Sequence, residues 1–176
     1  MKLPPEALNP EGYIIDQSRL KDIPFGYATS DRNGCGWIAV YNFLRALGRT
    51  EEPETLAREM EKTLLGDFLA GVHPLGILWA LGRNRRIPLD WAVRPFHAQL
   101  LCEKAPAGIV WYFAGATNHY AAFRREADGK LRFFGAIYGK RDHVCSLAEF
   151  FSDCSKGPLT LVLTARLVRP KRTEFK

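Results

Sequence analysis

Between Asp31 and Leu44 the chain reads Asp31-Arg32-Asn33-Gly34-Cys35-Gly36-Trp37-Ile38-Ala39-Val40-Tyr41-Asn42-Phe43-Leu44, a polar, glycine-bearing turn that runs into an almost unbroken apolar segment. Trp37, Ile38, Val40, Tyr41, Phe43, Leu44 and Leu47 do not keep to one helical stripe. A helix that is apolar nearly all round has to be covered on every side, so the rest of the chain must supply a core around it. The pattern predicts a central helix from Cys35 to Leu47, stopped by Gly48. Cys35 stands at the junction, where unpaired N–H groups and the helix dipole favour a thiolate. Gly34 and Gly36 leave backbone open to a ligand there. The same position also suits an inert buried cysteine, since cysteine is among the most buried residue types.

The flanking segments supply that cover in two styles. Residues 1–30, with Pro4, Pro5, Pro10 and Pro24, read as an extended arm with one short strand near Gly12–Ile15. Thr50 is the expected N-cap of a helix with Pro53 in its first turn, continuing through Glu54 to Met60. A loop with Phe68 and Leu69 follows, then a helix after Pro74 that Gly82 ends. Beyond it the periodicity changes. Ile87–Val93 reads as an edge strand because of Pro88, Pro95–Glu103 as a short helix, and Gly108–Phe113 as a strand. His119–Arg124 and Leu131–Phe134 flank the turn signal Asp128-Gly129, Ser146 and Glu149 form a capping box, and Leu159–Val168 closes the chain as a strand. The expected fold is α+β: a helical N-terminal half, with its buried central helix packed on a C-terminal antiparallel sheet. One domain over residues 1–176 is expected, with a basic tail at 169–176. Trp37, Trp79, Trp91 and Trp111 are read as core.

Composition narrows the function classes. The chain carries 47% apolar and 25% charged residues and a formal net charge of +6, part of it in Arg166, Arg169, Lys171, Arg172 and Lys176. No element concentrates a basic face, so nucleic acid is not an expected partner. The N-terminus lacks the apolar run of a signal peptide and nothing reaches the length of a membrane span, which predicts a cytoplasmic protein. Cys35, Cys102, Cys145 and Cys154 are too widely spaced for a disulfide scaffold. His143-x-Cys145 lacks a second ligand pair, so neither a metal nor another cofactor is expected.

A cysteine nucleophile needs an imidazole and an oxyanion donor. Of the four histidines, His73 stands at a helix start, His97 on a helix surface and His143 in a turn between Gly139 and Ser146. His119 opens an apolar strand after the small-residue loop Gly115-Ala116-Thr117-Asn118, a rigid place for a general base.

Together, Asn33-Gly34-Cys35-Gly36-Trp37-Ile38-Ala39-x-x-Asn42, two further helices, Asn118-His119-Tyr120 and a trailing Ser146-Leu147-x-Glu149-Phe150 segment resemble the papain-like cysteine peptidase superfamily. The likeness spans roughly residues 25–165 and is nearest the C39-like, bacteriocin-leader-processing branch. It implies Cys35 as nucleophile, His119 as base, and a peptide or protein substrate cleaved through a thioester. Two positions depart from the family pattern. Phe133-Phe134-Gly135-Ala136 stands where members place an orienting Asp or Asn, which leaves Asp142 or Asn118 as candidates. Thr29-Ser30-Asp31 stands where a glutamine normally helps form the oxyanion hole, and Asn33 is the nearest side-chain amide. These departures keep open a catalytically weak or inactive binding module, or an acyltransferase or isopeptidase on the same fold.

Overall fold

The computed structural model describes residues 1–63, 71–115, 117–136, 141–155 and 160–166. The loop expected over Gly66–Gly71, Gly71 apart, and the basic tail lie outside the described residues, as do the ends of the last strand segment, Leu159, Leu167 and Val168.

The arm carries two 3₁₀ turns, Pro5–Ala7 and Gln17–Arg19, and a two-stranded ribbon of β1 (Pro24–Phe25) and β2 (Ala28–Thr29). In place of the expected strand near Gly12–Ile15 there is one bridge between Leu8 and Ile14. Its other edge pairs with a side chain. Asn42 accepts from the Ile14 N–H and donates to the Ile14 carbonyl, both at 2.8 Å, and all three groups are buried. One amide thus satisfies both backbone groups of Ile14.

The turn before Cys35 is itself helical. α1 (Ser30–Asn33) passes through Gly34 in right-handed helical geometry into α2 (Cys35–Ala46). Every residue of α2 from Cys35 to Leu44 is buried, as its all-round apolar sequence requires, and Gly48 at φ +72° lies just past its end. α3 (Pro53–Glu61) starts later than expected, with Glu52 rather than Thr50 at the N-cap. Pro53 has no N–H to lose and a preset φ, and so takes the first helical position. α4 (Pro74–Leu78) widens into a π-helical stretch, Trp79–Asn84, that runs through Gly82 instead of ending there. Arg85 holds this widened end, donating to the Ala80 carbonyl at 2.8 Å while pairing with Glu51 and Glu59.

The second half follows the sequence pattern closely: β3 (Leu89–Ala92), α5 (Pro95–Cys102), β4 (Ala107–Ala114), β5 (Thr117–Arg125), β6 (Leu131–Phe134), β7 (Asp142–Cys145), α6 (Leu147–Cys154) and β8 (Thr160–Ala165). The strands form one antiparallel sheet in the order β3-β8-β4-β5-β6-β7, and β3 is an edge as Pro88 requires. β7 was not anticipated. His143 lies in this strand opposite Phe133, not in a turn. Four residues, half of them polar, on the far edge of the sheet leave little periodic signal.

The sheet is covered on both faces, which explains the near-continuous apolar runs of β4 and β5. Ile109, Tyr120, Ala122, Leu163 and Ala165 join α2 and the arm in one core. Tyr112, Ala121, Phe123 and Phe133 join Cys102, Leu147 and Phe150 from α5 and α6 in the other. Of the four tryptophans only Trp37 is fully buried. Trp111 is half-buried, and Trp79 and Trp91 are exposed. On β3, alternation turns Ala92 inward and leaves Trp91 outside.

Candidate active site

A cavity of about 370 Å³ opens where the start of β5 meets the start of α2. Cys35, Asn118, His119, Gln17, Arg32 and Arg141 line it, with Asp16, Ser18, Asp31 and Gly135. The two residues singled out as nucleophile and base, 84 positions apart, thus both line this cavity, with no hydrogen bond between the Cys35 sulfur and the His119 ring. A larger cavity of about 490 Å³ lies at the opposite end of the sheet, around Asp90, Arg125 and Arg166, with no cysteine or histidine in its wall.

Cys35 is the first residue of α2 and is 9% exposed. The backbone N–H groups of Tyr120, Gly36 and Cys35 itself favour its anion. Burial nevertheless outweighs them and pushes the thiol up to about 11. The thiolate expected from the helix start is therefore not the resting form. The N–H groups are present, but the polypeptide removes more hydration from the anion than they return.

His119 faces Tyr112 across the β4–β5 ladder, and the two rings meet edge-on with centroids 5.6 Å apart. Its parity is that of Ala121 and Phe123, so the imidazole leaves the strand on the face away from α2; Tyr120 faces α2. It reaches the cavity because it stands at the strand's open end. Burial holds the imidazole below its ordinary value, against a hydrogen bond to Gly135 that favours the charged form.

That hydrogen bond supplies the orienting contact. His119 Nε2 lies 2.8 Å from the Gly135 carbonyl oxygen. A carbonyl only accepts, so Nε2 carries the proton and Nδ1 is left as the acceptor in the neutral ring. Gly135 adopts φ +73°, a conformation L side chains rarely take, and its N–H is held by the Arg141 carbonyl at 2.9 Å.

Neither expected orienter touches the ring. Asp142 is held by Arg132 at 2.6 and 2.9 Å and by Asn9 at 2.8 Å, so its oxygens are occupied on the arm side. Asn118 lines the cavity, but its side-chain amide has no partner among the described residues. Asn33, the expected oxyanion donor, closes α1 and is not among the residues lining the cavity. Gln17 is, although nothing in its local sequence marks it. It comes from the arm, and no local spacing ties it to Cys35. Gln17 Nε2 donates to the Asp31 carbonyl at 3.0 Å, which leaves its second hydrogen uncommitted.

A helical N-terminal region followed by a multi-stranded antiparallel sheet, with this cavity at their junction, defines a broadly papain-like α+β architecture. Among solved structures it is similar to the peptidase domain of Streptococcus ComA, a bifunctional ABC transporter involved in a quorum-sensing pathway. The TM-score is 0.54 at 19% identity, covering 77% of this chain and 93% of that one, a distant likeness of fold. No protein-family model matches the chain, and no curated protein does. No helix among the described residues is long and apolar enough to cross a membrane.

Proposed function

We propose that the protein is a thiol-dependent hydrolase of peptide or amide bonds, with Cys35 as nucleophile and His119 as general base. The observation that carries this is the shared cavity, with the imidazole held through Nε2 so that Nδ1 is its proton acceptor. In the first half-reaction the Cys35 proton passes to Nδ1 as the sulfur attacks the acyl carbon and the carbonyl electrons move onto oxygen. Collapse restores the carbonyl, breaks the C–N bond and sends the imidazolium proton to the leaving nitrogen. Water then enters, gives a proton to the same Nδ1, cleaves the thioester and returns the thiol. The uncommitted Nε2 hydrogen of Gln17 is the proposed oxyanion donor, in place of Asn33.

The resting electrostatics set the pace. Burial raises the Cys35 thiol and lowers the His119 imidazole, so both work against a resting thiolate–imidazolium pair. The same raised thiol favours the second reading, a binding module that keeps the fold without turnover. A peptide or protein substrate met in a reducing compartment such as the cytoplasm completes the proposal, since the nucleophile must stay a thiol.

Intact-protein mass spectrometry with an activated ester tests it. The expected result is an acyl adduct on Cys35 that decays in water, is absent in Cys35→Ala, and transfers to added amine if the enzyme is an acyltransferase. No adduct on Cys35 favours the binding module.

A further inference from the structure

Gly135, the residue that orients His119, is gripped from both sides by the N-terminal arm. On one side Phe134 stacks on Tyr13, with ring centroids 3.8 Å apart and planes within 1°. Guanidinium groups of Arg124 and Arg45 lie over Tyr13 at 5.6 and 5.9 Å, and Arg132 over Phe134 at 5.8 Å. Glu11 joins the top of this stack, pairing with Arg124 at 2.5 Å and Arg132 at 2.6 Å. Arg132 also chelates Asp142, which Asn9 holds at 2.8 Å. On the other side the Gly135 N–H is bound by the carbonyl of Arg141, and the guanidinium of Arg141 pairs with Asp16 of the arm at 2.6 Å. Between these two attachments the arm is fixed to α2 by the Ile14–Asn42 pair, and the Ile14 carbonyl lies against Gly135.

We infer that arm residues Tyr13 and Asp16 are positioning residues, which hold the Gly135 carbonyl where it fixes the ring and tautomer of His119. This inference rests on the role proposed above for His119. The arm does through a backbone carbonyl what a strand-borne carboxylate could have done directly. Asp142 stands opposite Phe134, one residue from the spot where such a carboxylate would help, yet its side chain ties down the arm. A carbonyl that is free to rotate away would leave Nε2 and Nδ1 in competition for the proton. The wrong tautomer carries its proton on Nδ1 and has no free lone pair there to take one from a thiol.

The test is ¹⁵N NMR of the imidazole in the full chain, comparing wild type with Tyr13→Ala and Asp16→Asn, and with Met60→Ala as a core-destabilising control on α3. Wild type and Met60→Ala are expected to hold His119 as the single Nε2–H tautomer. Both arm variants should show mixed tautomers and a Cys35 labelling rate lowered by about 10-fold to 10²-fold. Unchanged tautomers in both arm variants, or an equal change in Met60→Ala, overturns the inference. The readout does not require turnover: if Cys35 forms no acyl adduct even in wild type, the hydrolase proposal falls while the tautomer comparison still decides the arm's role.

Discussion

At the residue scale, Cys35 is the site of a contest between three N–H groups that favour its anion and a buried setting that opposes it. Burial prevails, so alkylation by a small reagent such as iodoacetamide should rise with pH to a midpoint near 11. A midpoint near neutrality would show a preformed ion pair with His119 instead. The sequence placed the cysteine at a helix start but carried no information on how deeply that start would be covered. The core that Cys35 joins draws in Val72 and residues of the arm, which are remote in sequence. Asn42 makes the converse case. Its position in the apolar helix is plain in the sequence, but its task of satisfying Ile14 is visible only in three dimensions. Replacing it by alanine leaves a buried N–H and a buried carbonyl without partners. Urea denaturation should show a loss of about 3 kcal/mol.

At the element scale, periodicity served best where an element's environment is uniform. α2 is buried all round, β4 and β5 are covered on both faces, and the Ser146–Glu149 capping box sets α6; all of these were legible. β7, the π-helical continuation of α4 and the start of α3 were not, because tertiary partners decide them: pairing with β6, the Arg85 cluster, and Pro53 at a helix start. The close fit inside the sheet gives a sharp test. A Cβ at Gly108 would come within 2.4 Å of Phe123 Cζ and 2.5 Å of the Leu163 carbonyl oxygen. The backbone of β8 cannot give way without breaking its ladder with β4. Gly108→Ala should therefore cost about 2 kcal/mol or more and lower the melting temperature, as strain from overpacking does. A melting temperature equal to wild type would mean that β4 and β8 are less tightly joined.

At the scale of the whole molecule, titration of buried groups sets a window of stability. Burial works against the carboxylates of Asp16, Glu59 and Asp142, but hydrogen bonds from Ser18, Arg85 and Arg132 respectively, with the nearby guanidinium charges, leave all three below their ordinary values. Their contribution is present above the unfolded values and is lost as pH falls through the folded ones, below about 4. His119 adds an earlier loss, beginning as pH falls below 6.5, because the fold disfavours its charged form. Cys35 and Cys102 act in the other direction. Their thiols are raised from 9.0 to about 11 and about 12, so stability present below pH 9 is lost as pH rises beyond it. Calorimetry should find the highest melting temperature between pH 6.5 and 9, and a maximum outside that range would contradict these assignments. The candidate site itself was half legible. Cys35 and His119 stood out by type and local setting, whereas Gln17 and the Gly135 carbonyl did not. An arm folded back across the sheet, and a backbone atom in the place of a side chain, leave no mark on residue identity. The most direct test of the two side chains acting together is the labelling of Cys35 by a peptidyl chloromethyl ketone at neutral pH in wild type and His119→Ala. Selective labelling at Cys35, slowed by about 10²-fold when the imidazole is removed, is the expected result; a rate indifferent to His119, or no faster at Cys35 than at Cys102, would contradict it.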